Sequence, residues 1–300
     1  MMGDVSRRRY LRLALSGEGA ETTAVLALYP PELLGACERS LVSGRLLHEA
    51  GVRVPVVLES ACDGGWVLLE DLGEATLYDL ANRPWPELER CFTTAVDLLP
   101  KIAGLPRRVV EELNPPLDEG LLRRELALTR EAFLVPEGLD LPRSLWQSLD
   151  RLCERLGAEP PVPCHRDFGA RNLIPLAAGA SSGGALAVLD HQDLRLGPPA
   201  YDLASLLNDS LFPPTETEER LLARAGAAAG RARESYHRAA AQRTLKAVGS
   251  YAAFARRGGG RHQGLIRPTL ERALAHLRHT PETAAIAPEL AERWQPSLLD

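Results

Sequence analysis

The apolar pattern turns from mostly strand-like to mostly helical near residue 73, and that change restricts the fold more than composition does. Before it, short apolar runs alternate with turn residues. Arg9 to Leu15 and Thr23 to Tyr29 flank SGEGAE, and Val52 to Leu58 and Gly65 to Glu70 are joined through CDGG, so both pairs read as hairpins. A helix from Glu32 to Ala50, stopped by Gly51, lies between the pairs. From Ala75 onward the spacing is helical, over Trp85 to Leu99, Leu117 to Phe133 and Pro142 to Leu156. A strand-rich patch at 162–190 interrupts this, with Asn172 to Leu176 and Ala185 to Leu189 around the turn AAGASSGG. Helices return at Tyr201 to Leu207, Thr217 to Ala228, Ser235 to Phe254 and Pro268 to His279. The expectation is an α+β chain with two lobes. A small β-rich lobe covers residues 1–73, and a larger helical lobe holding one hairpin covers 74–300.

Composition removes several function classes. Net charge is −5 and the pI is about 5.9, so no global field draws the chain to nucleic acid. No apolar run approaches the roughly 20 residues of a membrane span. The first residues, MMGDVSRRRYLRLALSG, are too short and polar an apolar stretch for a signal peptide. A cytoplasmic monomer is expected, with no membrane partner. The five cysteines, Cys37, Cys62, Cys91, Cys153 and Cys164, are scattered with no CxxC pair and read as isolated reduced thiols. Lysine occurs only at Lys101 and Lys246; all other basic side chains of this class are arginine.

The chemistry-bearing residues lie in CHRDFGARNL and VLDHQDLRLGPPAYDLASLL. Asp167 precedes Asn172 by five residues, Asp190 follows Asn172 by eighteen, and Asp202 comes twelve later. Each residue alone is compatible with capping a turn. As an ordered set with a hairpin between Asn172 and Asp190, they fit phosphoryl transfer, which needs a held Mg²⁺, an aimed nucleophile and neutralised charge. An amide oxygen from Asn172 and a carboxylate from Asp190 suit Mg²⁺. Asp167 is then placed to accept the proton of a substrate hydroxyl. His165 and Arg166 are expected to brace the loop, and His191 to pack beside Asp190.

These motifs resemble the aminoglycoside/choline phosphotransferase superfamily, whose fold is bilobal and protein-kinase-like. In detail, HRDFGARNL, LDHQD, GPPAYDLASLLND and QRTLKAVGSYA resemble the bacterial N-acetylmuramate/N-acetylglucosamine anomeric kinases. GDVSRRRYLRL resembles their nucleotide-loop region, and VPVV with WVLLEDLGEATLYDL resembles the rest of the small lobe and hinge, so the likeness covers nearly the whole chain. The resemblance implies an ATP- and Mg²⁺-dependent kinase acting on the anomeric hydroxyl of an amino sugar in cell-wall sugar recycling. Asp167 would be the base, and Asn172 and Asp190 would bind Mg²⁺–ATP. Glu70, Asp71 and Leu72 would offer hinge backbone to adenine, and Ser6 with Arg8 would cover the phosphates. Asp202 and His165 would support the catalytic loop, while Arg171 and Asp193 would face the substrate.

The chain departs from the pattern in three places. The strand Thr23 to Tyr29 lacks the lysine that usually grips phosphates; Arg8 or Arg12 is the candidate replacement, and Glu38 the candidate helix partner. Relatives usually carry a further helix and strand ahead of the nucleotide loop, so the expectation is either an internal start site or a small lobe trimmed at its start. Gly169 stands where relatives often have histidine, and RRGGGRH at 256–262 replaces a more acidic loop. Two alternatives stay open: a kinase of another acceptor, such as an aminoglycoside, another sugar or an amino alcohol, and a nucleotide-binding chain without turnover.

Overall fold

The computed structural model describes residues 8–15, 22–176, 186–258 and 262–295. Ser6 and the turns expected at 16–21 and 177–184 lie outside them. The chain forms two compact units: Met1–Asn114 with Ala170–Leu194, and Pro115–Gly169 with Arg195–Asp300.

In the first unit, β1 (Arg9–Leu15), β2 (Thr22–Leu28), β3 (Val57–Ala61) and β4 (Trp66–Glu70) form an antiparallel sheet in the order β1-β2-β4-β3. Helix α1 (Leu34–Glu49) connects β2 to β3, and Gly51 takes a positive φ of 72° just beyond it. Ala27, Tyr29, Ala36, Cys37 and Val67 form the buried cluster shared by sheet and helix. The strand expected from Val52 starts only at Val57. Pro55 has no N–H for a ladder, and the Val52 N–H instead donates to Leu47 O at 2.9 Å, with Val52 and Val54 buried.

Cys37 of α1 and Cys62 beyond β3 form a disulfide across 25 residues. This corrects the expectation of five reduced thiols. The pairing arises because the β3–β4 turn packs on α1, a tertiary proximity that cysteine spacing does not encode. Cys91, Cys153 and Cys164 are free.

The same unit holds α2 (Trp85–Ala103), α3 (Arg107–Leu113) and the hairpin of β6 (Leu173–Pro175) and β7 (Leu186–Val188). Leu88, Phe92, Ala95, Val96 and Ile102 make the buried stripe of α2 at helical spacing. The hairpin is fastened at both edges, by Leu77 N–H to Leu173 O at 2.7 Å and Val188 N–H to Arg53 O at 2.8 Å.

The second unit is helical apart from the short antiparallel pair β5 (Val162–Cys164) and β8 (Arg195–Gly197). Its helices are α4 (Glu119–Thr129), α5 (Arg143–Gly157), α6 (Tyr201–Asn208) and α7 (Thr215–Arg224). They continue as α8 (Gly230–Arg256), α9 (Gln263–Arg278) and α10 (Ala287–Trp294). Asp118 caps α4 by accepting the Leu121 N–H at 2.8 Å. At 27 residues, α8 is long and buries Ala239, Ala240, Ala241, Leu245, Val248 and Ala252. Its alanines and Gly249 allow close approach by neighbouring helices. A Cβ at Gly249 would stand 2.4 Å from Thr129 Oγ1 and 2.5 Å from Thr129 Cα. Thr129 Oγ1 also donates to Leu245 O at 3.0 Å, which fixes α4 against α8. Among the described residues no helix is long and apolar enough to cross a membrane.

Candidate active site

The loop that follows β5 carries His165, Arg166 and Asp167. Arg166 has a φ of 77°, a left-handed conformation that a non-glycine residue keeps only when its surroundings enforce it. The enforcing group is Asp202, in the first turn of α6, whose carboxylate accepts the N–H of His165 at 2.6 Å and of Arg166 at 2.8 Å. Burial raises the Asp202 carboxyl, and the charge of His165 and these two N–H donors pull against that rise. The Arg166 side chain turns back to Glu125 of α4 at 2.9 Å.

Two residues of α8 reach this loop, and a third, Gln242, holds the groups that brace it. Gln242 Nε2 donates to Glu125 Oε2 at 3.0 Å, and Gln242 Oε1 accepts from Tyr201 Oη at 3.2 Å. Arg243 reaches Ser205 Oγ at 3.2 Å, Asp209 Oδ1 at 3.3 Å and Asp167 Oδ1 at 3.2 Å. Lys246 Nζ lies 3.5 Å from the same Asp167 oxygen. Gly169 is held close by the same cluster, since a Cβ there would meet the Asp209 carboxylate at 2.7 Å.

The Asp167 side chain keeps 30% of its surface exposed. Burial would push its carboxyl up, but Lys246, then Arg243, Arg166 and His165, hold it well below the usual carboxylate range. Glu125 is lowered for a related reason: burial works against it, and Lys246 and Arg166 overcome that. Lys246 itself is lowered, because desolvation of its ammonium outweighs the attraction of Asp167.

In the first unit, the β6–β7 hairpin joins Asn172 to Asp190. Leu189 N–H donates to Asn172 O at 2.8 Å, so the ladder runs up to the residue before Asp190. Asp190 is left-handed at φ 60°, ψ 40°. Its Oδ1 receives Arg8 Nη2 at 2.5 Å and Gln192 Nε2 at 3.0 Å, while Arg8 Nη1 donates to Gln192 Oε1 at 2.9 Å. Asn114 Nδ2 donates to the carbonyls of Gln192 and Leu194 and fixes the turn containing Asp193. His191 packs away from Asp190, its Nδ1 2.8 Å from Ser43 Oγ on α1. The Arg171 guanidinium stacks over Tyr78 with its carbon 3.8 Å from the ring centroid.

At the end of β4, Glu70 gives its N–H to Val56 O at 2.8 Å, and its carboxylate takes Arg53 at 2.5 Å. Asp71 is clamped by Arg12 through Nε at 2.5 Å and Nη2 at 3.0 Å, and accepts Gly73 N–H at 2.9 Å. The Arg12 bond, aided by Gly73 and Thr23 against burial, holds the Asp71 carboxyl down at about 2. Leu72 follows, half-buried. Arg12 also pairs with Glu74, so of the two arginines considered for the missing lysine, Arg12 is committed to the end of β4 and Arg8 faces Asp190. Glu38 is exposed on α1.

Mg²⁺ is a test of these residues. Asp190 keeps Oδ2 clear of Arg8 and Gln192, which both use Oδ1, and its side chain is 35% exposed. A carboxylate oxygen and the Asn172 amide are hard donors of the kind Mg²⁺ takes alongside phosphate oxygens. Among the described residues no group of three His, Cys, Asp or Glu could hold an ion alone, so these donors fit an ion that arrives with a nucleotide.

Sequence reasoning singled out the QRTLK stretch as a motif without assigning contacts to Gln242, Arg243 and Lys246. The rarity of lysine was the available signal. Glu125 and Asp209 carried none, because acidic residues on helices are ordinary.

The fold recurs among solved kinases. An ethanolamine kinase of Plasmodium vivax superposes with a TM-score of 0.60 at 15% identity, covering 92% of this chain and 83% of that one. The ADP-bound aminoglycoside phosphotransferase APH(2'')-Ib gives 0.53 at 16% identity, over 89% of this chain and 92% of that one. The chain therefore has the protein-kinase-like α+β fold, and a match of residues 2–241 to a phosphotransferase family makes it a phosphotransferase of the kinase type. In sequence it is 32% identical over 273 residues to the N-acetylmuramate/N-acetylglucosamine kinase of Pseudomonas putida, spanning 85% of this chain and 76% of that protein. The model of the Phosphotransferase enzyme family (APH) matches residues 2–241, and the chain belongs to that family.

Proposed function

We propose that the chain transfers the γ-phosphate of ATP to the anomeric hydroxyl of an N-acetylated amino sugar, N-acetylmuramate or N-acetylglucosamine, in cell-wall sugar recycling. The observation that carries this reading is the seating of the QRTLK segment on the Asp167 loop. Arg243 and Lys246 meet one oxygen of that carboxylate at 3.2 and 3.5 Å. The segment that most distinguishes the amino-sugar kinase pattern thus acts directly on the proposed base. The Pseudomonas putida relative's name supports the acceptor, and the ADP-bound structural neighbour supports the nucleotide.

The chemistry agrees. A carboxylate held far below its ordinary range is a weak base, suited to orienting a hydroxyl that gives up its proton readily. A hemiacetal hydroxyl is such a group, because the ring oxygen withdraws electron density from it. Asp167 would hold that hydroxyl, with Asp202 and His165 fixing the loop. Asn172 and Asp190 would hold Mg²⁺, which when bound neutralises charge on the phosphates. Glu70, Asp71 and Leu72 would present backbone to adenine, Arg8 with Ser6 would lie toward the phosphates, and Arg171 and Asp193 toward the acceptor. In this reading residues 1–73 serve the nucleotide, residues 74–300 carry the catalytic loop and acceptor, and the chain works as a cytoplasmic monomer.

The test is product formation. With Mg-ATP and a panel of N-acetylmuramate, N-acetylglucosamine, glucose, kanamycin and choline, ³¹P NMR should show a sugar 1-phosphate from the two amino sugars. Absence of product from every acceptor, despite measurable ATP binding, would remove the enzymatic reading. Asp167→Ala should abolish turnover while leaving nucleotide affinity near wild type; loss of ATP binding would reassign Asp167.

A further inference from the structure

Lysine is nearly absent from this chain, so the places where it survives carry information. Of 35 basic Lys and Arg side chains, lysine stands only at 101 and 246. Lys101 is at the surface and donates to Gly51 O at 3.0 Å. Lys246 is on α8 with 15% of its side chain exposed, facing the proposed base.

Two cations share Asp167 Oδ1, but they are held differently. Arg243 is locked by Ser205 and Asp209 as well as Asp167, with a side chain 6% exposed. A planar guanidinium in that many bonds is a fixed strut. Lys246 is an ammonium on a flexible four-carbon stem, and its 3.5 Å distance is longer than the roughly 2.7–2.9 Å of a settled charge-assisted bond. Among the described residues its side-chain hydrogen bond is to Asp167, which leaves two of its three N–H groups to give.

We propose that Lys246 is a catalytic residue of the phosphotransfer, holding Asp167 in the resting enzyme and passing to the oxygens of the transferring phosphoryl group as Asp167 takes the acceptor's proton. The proposal rests on the phosphotransfer reading above. In the step, the acceptor O–H bond breaks and its proton passes to Asp167. The acceptor oxygen bonds to the γ-phosphorus, the bond from that phosphorus to the bridging oxygen breaks, and its electron pair leaves on ADP. Once protonated, Asp167 no longer attracts an ammonium, while negative charge remains on the equatorial phosphoryl oxygens. A mobile point charge can follow that shift, and a locked guanidinium cannot. This also gives a reason for a lysine at 246 in a chain that elsewhere uses arginine.

The experiment separates Lys246 from turnover. With a saturating amino-sugar acceptor present, so that its hydroxyl can give Asp167 the proton, binding of ADP with Mg²⁺ is measured by calorimetry with and without aluminium fluoride, a mimic of the phosphoryl group in flight, for wild type, Lys246→Gln and Lys246→Arg. For Lys246→Gln, ADP alone should bind within about twofold of wild type, which also shows the variant is folded. The gain in affinity from aluminium fluoride should fall at least tenfold, and Lys246→Arg should restore part of it. In turnover assays Lys246→Gln should lower kcat about 100-fold with little change in the KM for ATP. An unchanged fluoride gain in Lys246→Gln overturns the proposal. Wild type that binds ADP–aluminium fluoride yet phosphorylates no acceptor instead overturns the functional reading, and the fluoride comparison still decides Lys246. Should Lys246→Gln fail to bind ADP, Lys246→Met and Lys246→Arg make the same comparison; a full fluoride gain in Lys246→Met overturns the proposal.

Discussion

Arg8 meets Asp190 on one carboxylate oxygen only, Oδ1 at 2.5 Å, where Gln192 also donates. Neither of those bonds uses Oδ2, the side chain keeps 35% of its surface exposed, and the backbone of the residue is left-handed. Strain of that kind persists where neighbouring structure enforces it, and here the β6–β7 ladder ends one residue earlier.

If Oδ2 is the metal ligand, Asp190→Ala should remove the Mg²⁺ dependence of ATP affinity. Arg8→Ala should do two things at once. It removes a cation beside a metal-binding carboxylate, so half-saturating Mg²⁺ should fall. In the proposed reading it also removes a charge facing the phosphates, and ATP affinity should drop about tenfold, the scale of one hydrogen bond to a charged group. Calorimetric titrations across Mg²⁺ concentrations read both. An Asp190→Ala protein whose ATP affinity still responds to Mg²⁺ would move the metal to another residue.

Asp71 gives a pH prediction whose sign follows from its partner. Arg12 holds the folded-state carboxyl at about 2, below its ordinary value of 3.8. The folded state therefore binds this proton less readily than the unfolded chain, and stability from the pair is complete above about pH 4. It is lost as pH falls toward 2. Asp71→Asn should melt below wild type at pH 7, and the gap should close between pH 4 and 2. A gap that stays constant over that range would show that the asparagine acts by packing alone.

Much of the fold was legible because period and punctuation agree. Gly51 ends α1, and the helical spacing of Leu88, Phe92, Ala95 and Val96 marks α2. The strand at 52–58 was misplaced because alternation outweighed Pro55, whose missing N–H delays the ladder to Val57. The three-residue strand at Arg195–Gly197 is too brief for a periodic signal. In the site, Asp167, Asn172, Asp190 and Asp202 stood out because their order and spacing mark a chemistry. Glu125, Asp209 and the Cys37–Cys62 pair became visible only in three dimensions, since each takes its meaning from a partner on another element.

Gly249 tests whether α8 positions Asp167, the proposed base, as a rigid part. In an ordinary helix interior, glycine to alanine stabilises by roughly 1 kcal/mol. At Gly249 the new Cβ would fall 2.5 Å from Thr129 Cα, a backbone atom that yields only if α4 and α8 separate. Overpacking of that kind costs about 1–3 kcal/mol, so Gly249→Ala should be net destabilising in urea unfolding despite its better helix propensity. Gly264, an exposed residue at the start of α9 with nothing within 4 Å of its would-be Cβ, is the control, and Gly264→Ala should hold or raise stability. Gly249 lies one turn from Lys246, so any separation of the helices also shifts Lys246 and Arg243 against Asp167. Gly249→Ala should therefore lower kcat more than it changes the KM for ATP, whereas Gly264→Ala should leave both alone. A Gly249→Ala enzyme that is less stable yet keeps wild-type kcat would show that the loop follows α8 as it moves, and that the helix does not set the geometry of the base.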